Sequence, residues 1–308
     1  MVFMNPIMAK KLKQMKKDWI FYLFLLPAAS AILVFNYIPM YGVQLAFKNF
    51  RAIDGIWGSP WTGFANLNRF MASPQFIRLI RNTVTISLYQ LIAGFPIPIL
   101  FALLLNYCIS QKLKKTVQIL TYAPHFISIV VLVAMVNLIF STSNGPVNHI
   151  IAFLGGTRKN FLAETGAFRH MFVWSGIWQN MGWSAIIYIA ALSSVDQEMH
   201  EAAIIDGAVK IQRMWYIDLP CIMPTAIIML ILAAGNIMSV GFEKAFLMQN
   251  SVNLNVSEII STYVYKVGLL NSDFGFSTAV NLFNNLINFF LLLGVNALAR
   301  KFSETSLF

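Results

Sequence analysis

The run His200-Glu201-Ala202-Ala203-Ile204 opens like the metal-binding helix of a zinc protease, where two histidines four positions apart hold the ion and the glutamate activates water. The second ligand position holds Ile204, so the metal reading fails and no metal or other cofactor is expected. Nucleotide chemistry fails too: there is no G-x-x-x-x-G-K-[ST] loop, and no glycine is followed by lysine. No nucleophile, base and metal ligand gather in one apolar stretch, which argues against a membrane enzyme or receptor. What remains is amide chemistry. Asn281, Asn284, Asn285 and Asn288 fall three and four residues apart and share one helix face. A neutral polar stripe suits hydroxyl-rich sugars, and it equally suits amide bonding between helices, worth about 0.6 to 2 kcal/mol per bond. Gln90, Asn137, Gln179, Asn180, Tyr188 and Asn236 extend the candidate lining of a translocation path, with Trp174, Trp178 and Trp183 able to stack on sugar rings or to anchor at a membrane interface.

The elements that must position these groups are membrane helices. Of 308 residues, 58% are hydrophobic and only 11% charged, a composition that fits water poorly. A bilayer core about 30 Å thick takes roughly 20 apolar residues per helical crossing, and about six such runs occur. They cover 19–38, 81–106, 116–140, 170–192, 221–240 and 276–299. Pro27, Pro96, Pro98 and Pro124 fall inside them, so kinks are expected. Lysines and arginines crowd the segment before the first run, the gap holding Lys112, Lys114 and Lys115, and the residues after the last, which predicts cytosolic N and C termini. The basic start followed by an apolar run reads as a signal anchor, because the run continues past the small residues at 28–30 where a signal peptide would be cut.

A net charge of +10 raises nucleic acid as a partner, but the positive residues gather at membrane ends and are not interleaved with aromatics, so anionic lipid accounts for them. Cys108 and Cys221 both fall at expected cytosolic ends of spans, where thiols stay reduced. The external segment 39–80 is broken by prolines and glycines and reads as a compact cap, serving either as a lid or as a surface for a delivering protein.

The gap 193–220 stands apart. It carries Asp196, Glu198, Glu201, Asp206 and Asp218, and Ser194 with Gln197 reads as a capping box opening a helix of about three turns that Gly207 ends. Its small apolar face, Ala202 to Ile205, packs on its own chain or docks into a partner. Glu201-Ala202-Ala203, Asp206-Gly207-Ala208 and, eight residues on, Ile217-Asp218-Leu219-Pro220 resemble the EAA loop of permease subunits in bacterial ATP-binding-cassette importers. The resemblance implies that Glu201, Ala202, Ala203, Asp206, Gly207, Ala208, Ile217, Leu219 and Pro220 form a cytosolic coupling loop seated in a groove of a separate ATPase.

Residues 41–69, Asn82-Thr83, Asn106, Pro124-His125-Phe126-Ile127-Ser128 and Trp178 further resemble the carbohydrate permeases that import complex oligosaccharides, among them alginate and other uronate fragments. That implies an all-α, six-span, type I importer permease in the bacterial inner membrane, working by alternating access. Its implied domains are a basic segment 1–18, a permease domain 19–299 and a tail 300–308. Its implied partners are a second homologous permease, two ATPase subunits, an extracytoplasmic solute-binding protein, an oligosaccharide and the bilayer. The rival is an ion-coupled secondary transporter, yet no Asp, Glu or Lys lies within the six runs, and only His125 is a candidate relay.

Overall fold

A computed structural model describes Gln14 and residues 17–302, so most of the basic segment 1–18 and of the tail 300–308 lies outside the described residues. These residues fold into helices, with one isolated bridge, Lys48 to Trp61, tying the segment 39–80 to itself. Helix α1 (Trp19–Ile32) continues through a π turn (Leu33–Tyr37) into a 3-10 stretch (Tyr41–Phe47). Then come α2 (Ala65–Met71), α3 (Phe76–Gly94), α4 (Pro96–Asn106), α5 (Gln111–Tyr122), α6 (Ile129–Ile139) and α7 (Pro146–Phe153). The second half holds α8 (Thr165–Leu192), α9 (Gln197–Ile205), α10 (Leu219–Gly235), α11 (Phe242–Met248), α12 (Ile260–Tyr265) and α13 (Phe274–Phe302).

Among the described residues, four rods are long and apolar enough to cross a membrane: Trp19–Phe47, Phe76–Asn106, Lys210–Gly235 and Phe274–Lys301. A fifth candidate is the pair Gln111–Phe126 and Ile129–Ile139, bent by 103° at its break. The run 116–140 therefore bends where Pro124 predicts a kink, and bends so sharply that it forms two helices. Pro124 has no N–H to continue the ladder, Ile127 is extended, and the Ser128 hydroxyl accepts from the Val131 N–H at 3.3 Å, starting a new helix inside the apolar stretch. The freed Ile127 carbonyl accepts from Gln179 Nε2 at 2.8 Å, so the break leaves that group satisfied.

The run 170–192 lies in α8, whose 28 residues exceed a crossing length but hold no stretch as apolar as those of the four rods. Helix α8 is the central helix, packed against α3, α4, α5 and α10, and its Gln179 is buried. One apolar cluster joins Ile86, Phe172, Ile177 and Val240 along the first half of α8, and another joins Leu103, Ala185, Leu192 and Ile222 toward its end. Close approach of α8 to α5 depends on Gly182, where a Cβ would collide with the Thr121 backbone carbonyl. By contrast, α1 buries no residue at all.

Gly182→Ala should therefore destabilise by about 1 to 3 kcal/mol, since the obstacle is backbone and cannot rotate away. Gly166→Ala, on the same helix with open space around it, should be neutral or slightly stabilising. Thermal unfolding in detergent compares the two, and equal midpoints would contradict the packing described.

Candidate functional site

Between α3, α4, α8 and α10 lies a cavity of about 400 Å³. Ser87 and Gln90 come from α3, Asn180, Ser184 and Tyr188 from α8, and Asn236 from the end of α10. The spacing 176, 180, 184 sets Gly176, Asn180 and Ser184 along one stripe of α8, while Phe95, Pro98, Met181 and Met229 make the wall partly apolar. No Asp, Glu, Lys or Arg stands in this wall. Hydroxyls and amides interleaved with apolar patches suit hydroxylated rings and offer little to a bare ion.

Asn180 is held on two sides: its Nδ2 donates to the Gly176 carbonyl at 3.0 Å, and its Oδ1 lies 2.9 Å from His125 Nδ1. The His125 ring stacks on Trp183 at 4.5 Å between centroids, so this histidine ties the bend after α5 to the cavity wall. Trp174 Nε1 donates to the Tyr89 hydroxyl, while Trp178 is about half exposed and Asn137 is exposed on α6.

The four asparagines of α13 fall elsewhere. Asn288 accepts from the Met238 N–H at 2.9 Å and donates to the Ser239 hydroxyl at 3.0 Å, an interhelical bond to the segment after α10. Asn284 is buried, Asn281 and Asn285 are exposed, and none of the four stands in the cavity wall.

In the segment 193–220, α9 is capped by Asp196, whose carboxylate accepts from the Glu198 N–H at 3.0 Å. The Ser194 capping box expected from sequence is thus corrected: the Ser193 and Ser194 hydroxyls donate back to Ala190 and Ala191, finishing α8. Gly207, at φ +80°, ends α9. Its N–H donates to the Ile204 carbonyl and that of Ala208 to the Ala203 carbonyl, a Schellman pair. Glu201, Ala202, Ile204 and Ile205 face outward, Ala203 packs inward, and Ile217 is buried against α8. Ala203, Asp206, Gly207, Ala208 and Ile217 border one groove of about 360 Å³. Leu219 and Pro220 start α10 directly after a π turn (Met214–Asp218), where Leu219 donates five residues back to Met214 and Pro220 has no N–H to give.

That slip coincides with a residue the sequence reading passed over as a site. Asp218 is fully buried, accepts from the Tyr107 hydroxyl at 2.5 Å and lies 3.2 Å from His200 Nε2. Burial, and then the bond to Asp218, push the Tyr107 phenol well above its usual range and keep it the donor. Asp218 therefore joins α9, through His200, to the end of α4, through Tyr107. Its sequence signal was a carboxylate flanked by Ile217 and Leu219 at the head of an apolar run.

Residues 94–304 match the model of the binding-protein-dependent transport system inner membrane component. The chain belongs to that family. It is 41% identical over 96% of its length to Protein LplB of Bacillus subtilis (strain 168), covering 92% of that protein. It is 40% identical, over 93% of its length and 89% of the relative's, to the polygalacturonan/rhamnogalacturonan transport system permease protein YteP of the same organism. Among solved structures, it resembles a chain of a bacterial ABC transporter involved in import of the acidic polysaccharide alginate, at TM-score 0.88 and 38% identity, with 95% of this chain and 99% of that chain covered. A second match, at TM-score 0.88 and 37% identity, is a chain of a bacterial alginate ABC transporter in complex with an alginate pentasaccharide-bound periplasmic protein, covering 96% of this chain and 99% of that one.

Within this family member, Tyr107→Phe should cost about 1 to 3 kcal/mol by stripping a buried carboxylate of its donor, whereas Asp218→Asn, which keeps an acceptor for Tyr107, should cost less. Thermal unfolding of the two variants ranks them, and the reverse order would contradict the Tyr107 bond to Asp218 as the stabilising contact.

Proposed function

We propose that the chain is one of two permease subunits of an ATP-driven importer of acidic oligosaccharides, alginate or pectic uronate fragments in class, in the bacterial inner membrane. The observation that carries the reading is the end-to-end likeness to the alginate importer permease, with both chains covered almost completely. The relative named for polygalacturonan and rhamnogalacturonan transport points to the same class of acidic chains. In this reading the permease crosses the membrane six times with both ends cytosolic, and does no chemistry itself. Two separate ATPase subunits hydrolyse ATP and a solute-binding protein delivers cargo, as with the periplasmic protein of the solved alginate transporter.

The coupling role falls to Glu201, Ala202, Ala203, Asp206, Gly207, Ala208, Ile217, Leu219 and Pro220. Exposed Ile204 and Ile205 beside exposed Glu201 give α9 an apolar, acid-edged face fit for a partner groove. Asn180, Tyr188 and Asn236 contribute polar groups to the path through the chain. Asn281, Asn284, Asn285 and Asn288 contribute to a path shared with the second permease or to the helix packing that Asn288 already makes. The bare length of α1 favours that second permease as its packing partner.

The test is uptake by proteoliposomes holding the permease with its partner permease, ATPase and binding protein. Oligogalacturonate or alginate oligosaccharide should accumulate with ATP and stay out without it. Glu201→Lys, an exposed change, should cut uptake and binding-protein-stimulated ATP hydrolysis at least tenfold while leaving the unfolding midpoint unchanged. Uptake driven by an ion gradient without ATP would remove the reading, and unchanged coupling in Glu201→Lys would remove the role of α9.

A further inference from the structure

At the end of α3 farthest from the coupling loop lies a recess of about 490 Å³, bordered by Arg78, Arg81 and Asn82 of α3, Arg169 of α8, and Asn255. Its electrostatics are unbalanced. Glu258 is shared by two cations, Arg78 at 2.6 Å and Lys266 at 3.0 Å. Neither Arg81 nor Arg169 has a carboxylate partner among the described residues, and Arg81 acts on Arg169 as a like charge. Arg169 is steered by Asn82, whose Oδ1 accepts from its guanidinium at 3.2 Å while the Asn82 amide donates to the Asn255 and Glu258 carbonyls. Those two donated bonds fix which way the amide points, so Arg169 is positioned and not merely present. The Nε groups of Arg78 and Arg169 are both buried without an acceptor. A bordered recess with surplus positive charge, an oriented guanidinium and donors lacking acceptors asks for a planar oxyanion.

The position narrows the choice of oxyanion. Arg169 stands seven residues before Gly176 on α8, two turns and about 10 Å outward on nearly the same face. Arg81 and Asn82 lie less than two turns before Ser87 on α3, and Gly176 and Ser87 both line the neutral cavity. The two places therefore lie within the length of one short oligosaccharide.

We infer that this recess is an entry subsite for a uronate carboxylate, in which Arg81 and Arg169 grip the acidic group of an oligosaccharide before its rings pass to the neutral cavity. The inference rests on the acidic-oligosaccharide reading above and adds to it the residues that read the acid. The guanidinium fork matches a carboxylate in two parallel bonds, which an ammonium cannot do. Because the recess is open to solvent, its grip weakens with salt, so the cargo is held and then released.

The experiment uses the assembled transporter in phosphatidylcholine nanodiscs without its binding protein, with trigalacturonate as the probe. The wild type should bind trigalacturonate in a saturable, salt-sensitive manner. Arg81→Gln with Arg169→Gln should weaken it about tenfold to a hundredfold, the loss of charged hydrogen bonds. The fully methyl-esterified trisaccharide should bind weakly and equally to both. Arg169→Lys, which keeps the charge and loses the fork, should fall between, and it serves if the double variant fails to fold.

Unchanged trigalacturonate binding in the variants would overturn the inference. So would an equal loss of affinity for the unloaded binding protein, which would make the recess a docking surface. Displacement of the sugar by added phosphatidylglycerol would assign it to lipid phosphate and overturn it as well. Uptake by the complete wild-type system separates the two claims: no uptake of any acidic oligosaccharide sinks the cargo reading and the subsite with it, whereas normal uptake with unaltered binding in the variants sinks the subsite alone.

Discussion

Asp218 carries a carboxylate in a place without water, and three elements converge on it. The Tyr107 phenol comes from the end of α4, His200 from α9, and the carboxylate itself sits at the head of α10. Burying one ion costs several kcal/mol unless its bonds are kept, so geometry that separates these partners is disfavoured steeply. A push on α9 is therefore delivered to α4 and α10 together, and both helices wall the neutral cavity. The π turn before Pro220 belongs to the same arrangement, because it sits directly ahead of the helix that Pro220 begins and ends on the buried acid.

Much of this was legible in the sequence where the signal was local. Gly207 announced the end of α9 because a left-handed residue there has few substitutes, and the Schellman pair follows from it. The apolar runs located the long rods because the bilayer sets a length. Burial within an apolar run was harder to read. The run at 116–140 gives no hydropathy signal for its 103° bend, and the cue was the pairing of Pro124 with a capping Ser128. The Ser194 cap was misplaced by two residues, since serines that end one helix look like serines that begin the next.

Long-range pairings were not legible at all. Nothing in the local sequence of Tyr107 tells that its hydroxyl meets Asp218, 111 residues away. Asn82 enters the sequence reading only through the family resemblance, and its bonds emerge when the chain returns to set Arg169 and Glu258 beside it. The asparagine stripe on α13 has the same limit: periodicity shows a shared face, while only the packing shows Asn288 bound to the Met238 and Ser239 segment. The two ends of the bundle thus differ in kind, with a cationic recess at one, a buried anion at the other and an uncharged chamber between them.

Helix α1 has a consequence for how the chain is made. With no residue buried against the rest of the protein, it supplies nothing for the other helices to fold around. Lipid tails are as apolar as its side chains, so it can remain in the bilayer without being drawn inward. The bundle from α3 to α13 can close before α1 has found a neighbour. Tethered through Tyr41–Phe47, the helix keeps its whole surface open to lipid or to a neighbouring chain, so its place need not be settled for the rest of the bundle to close.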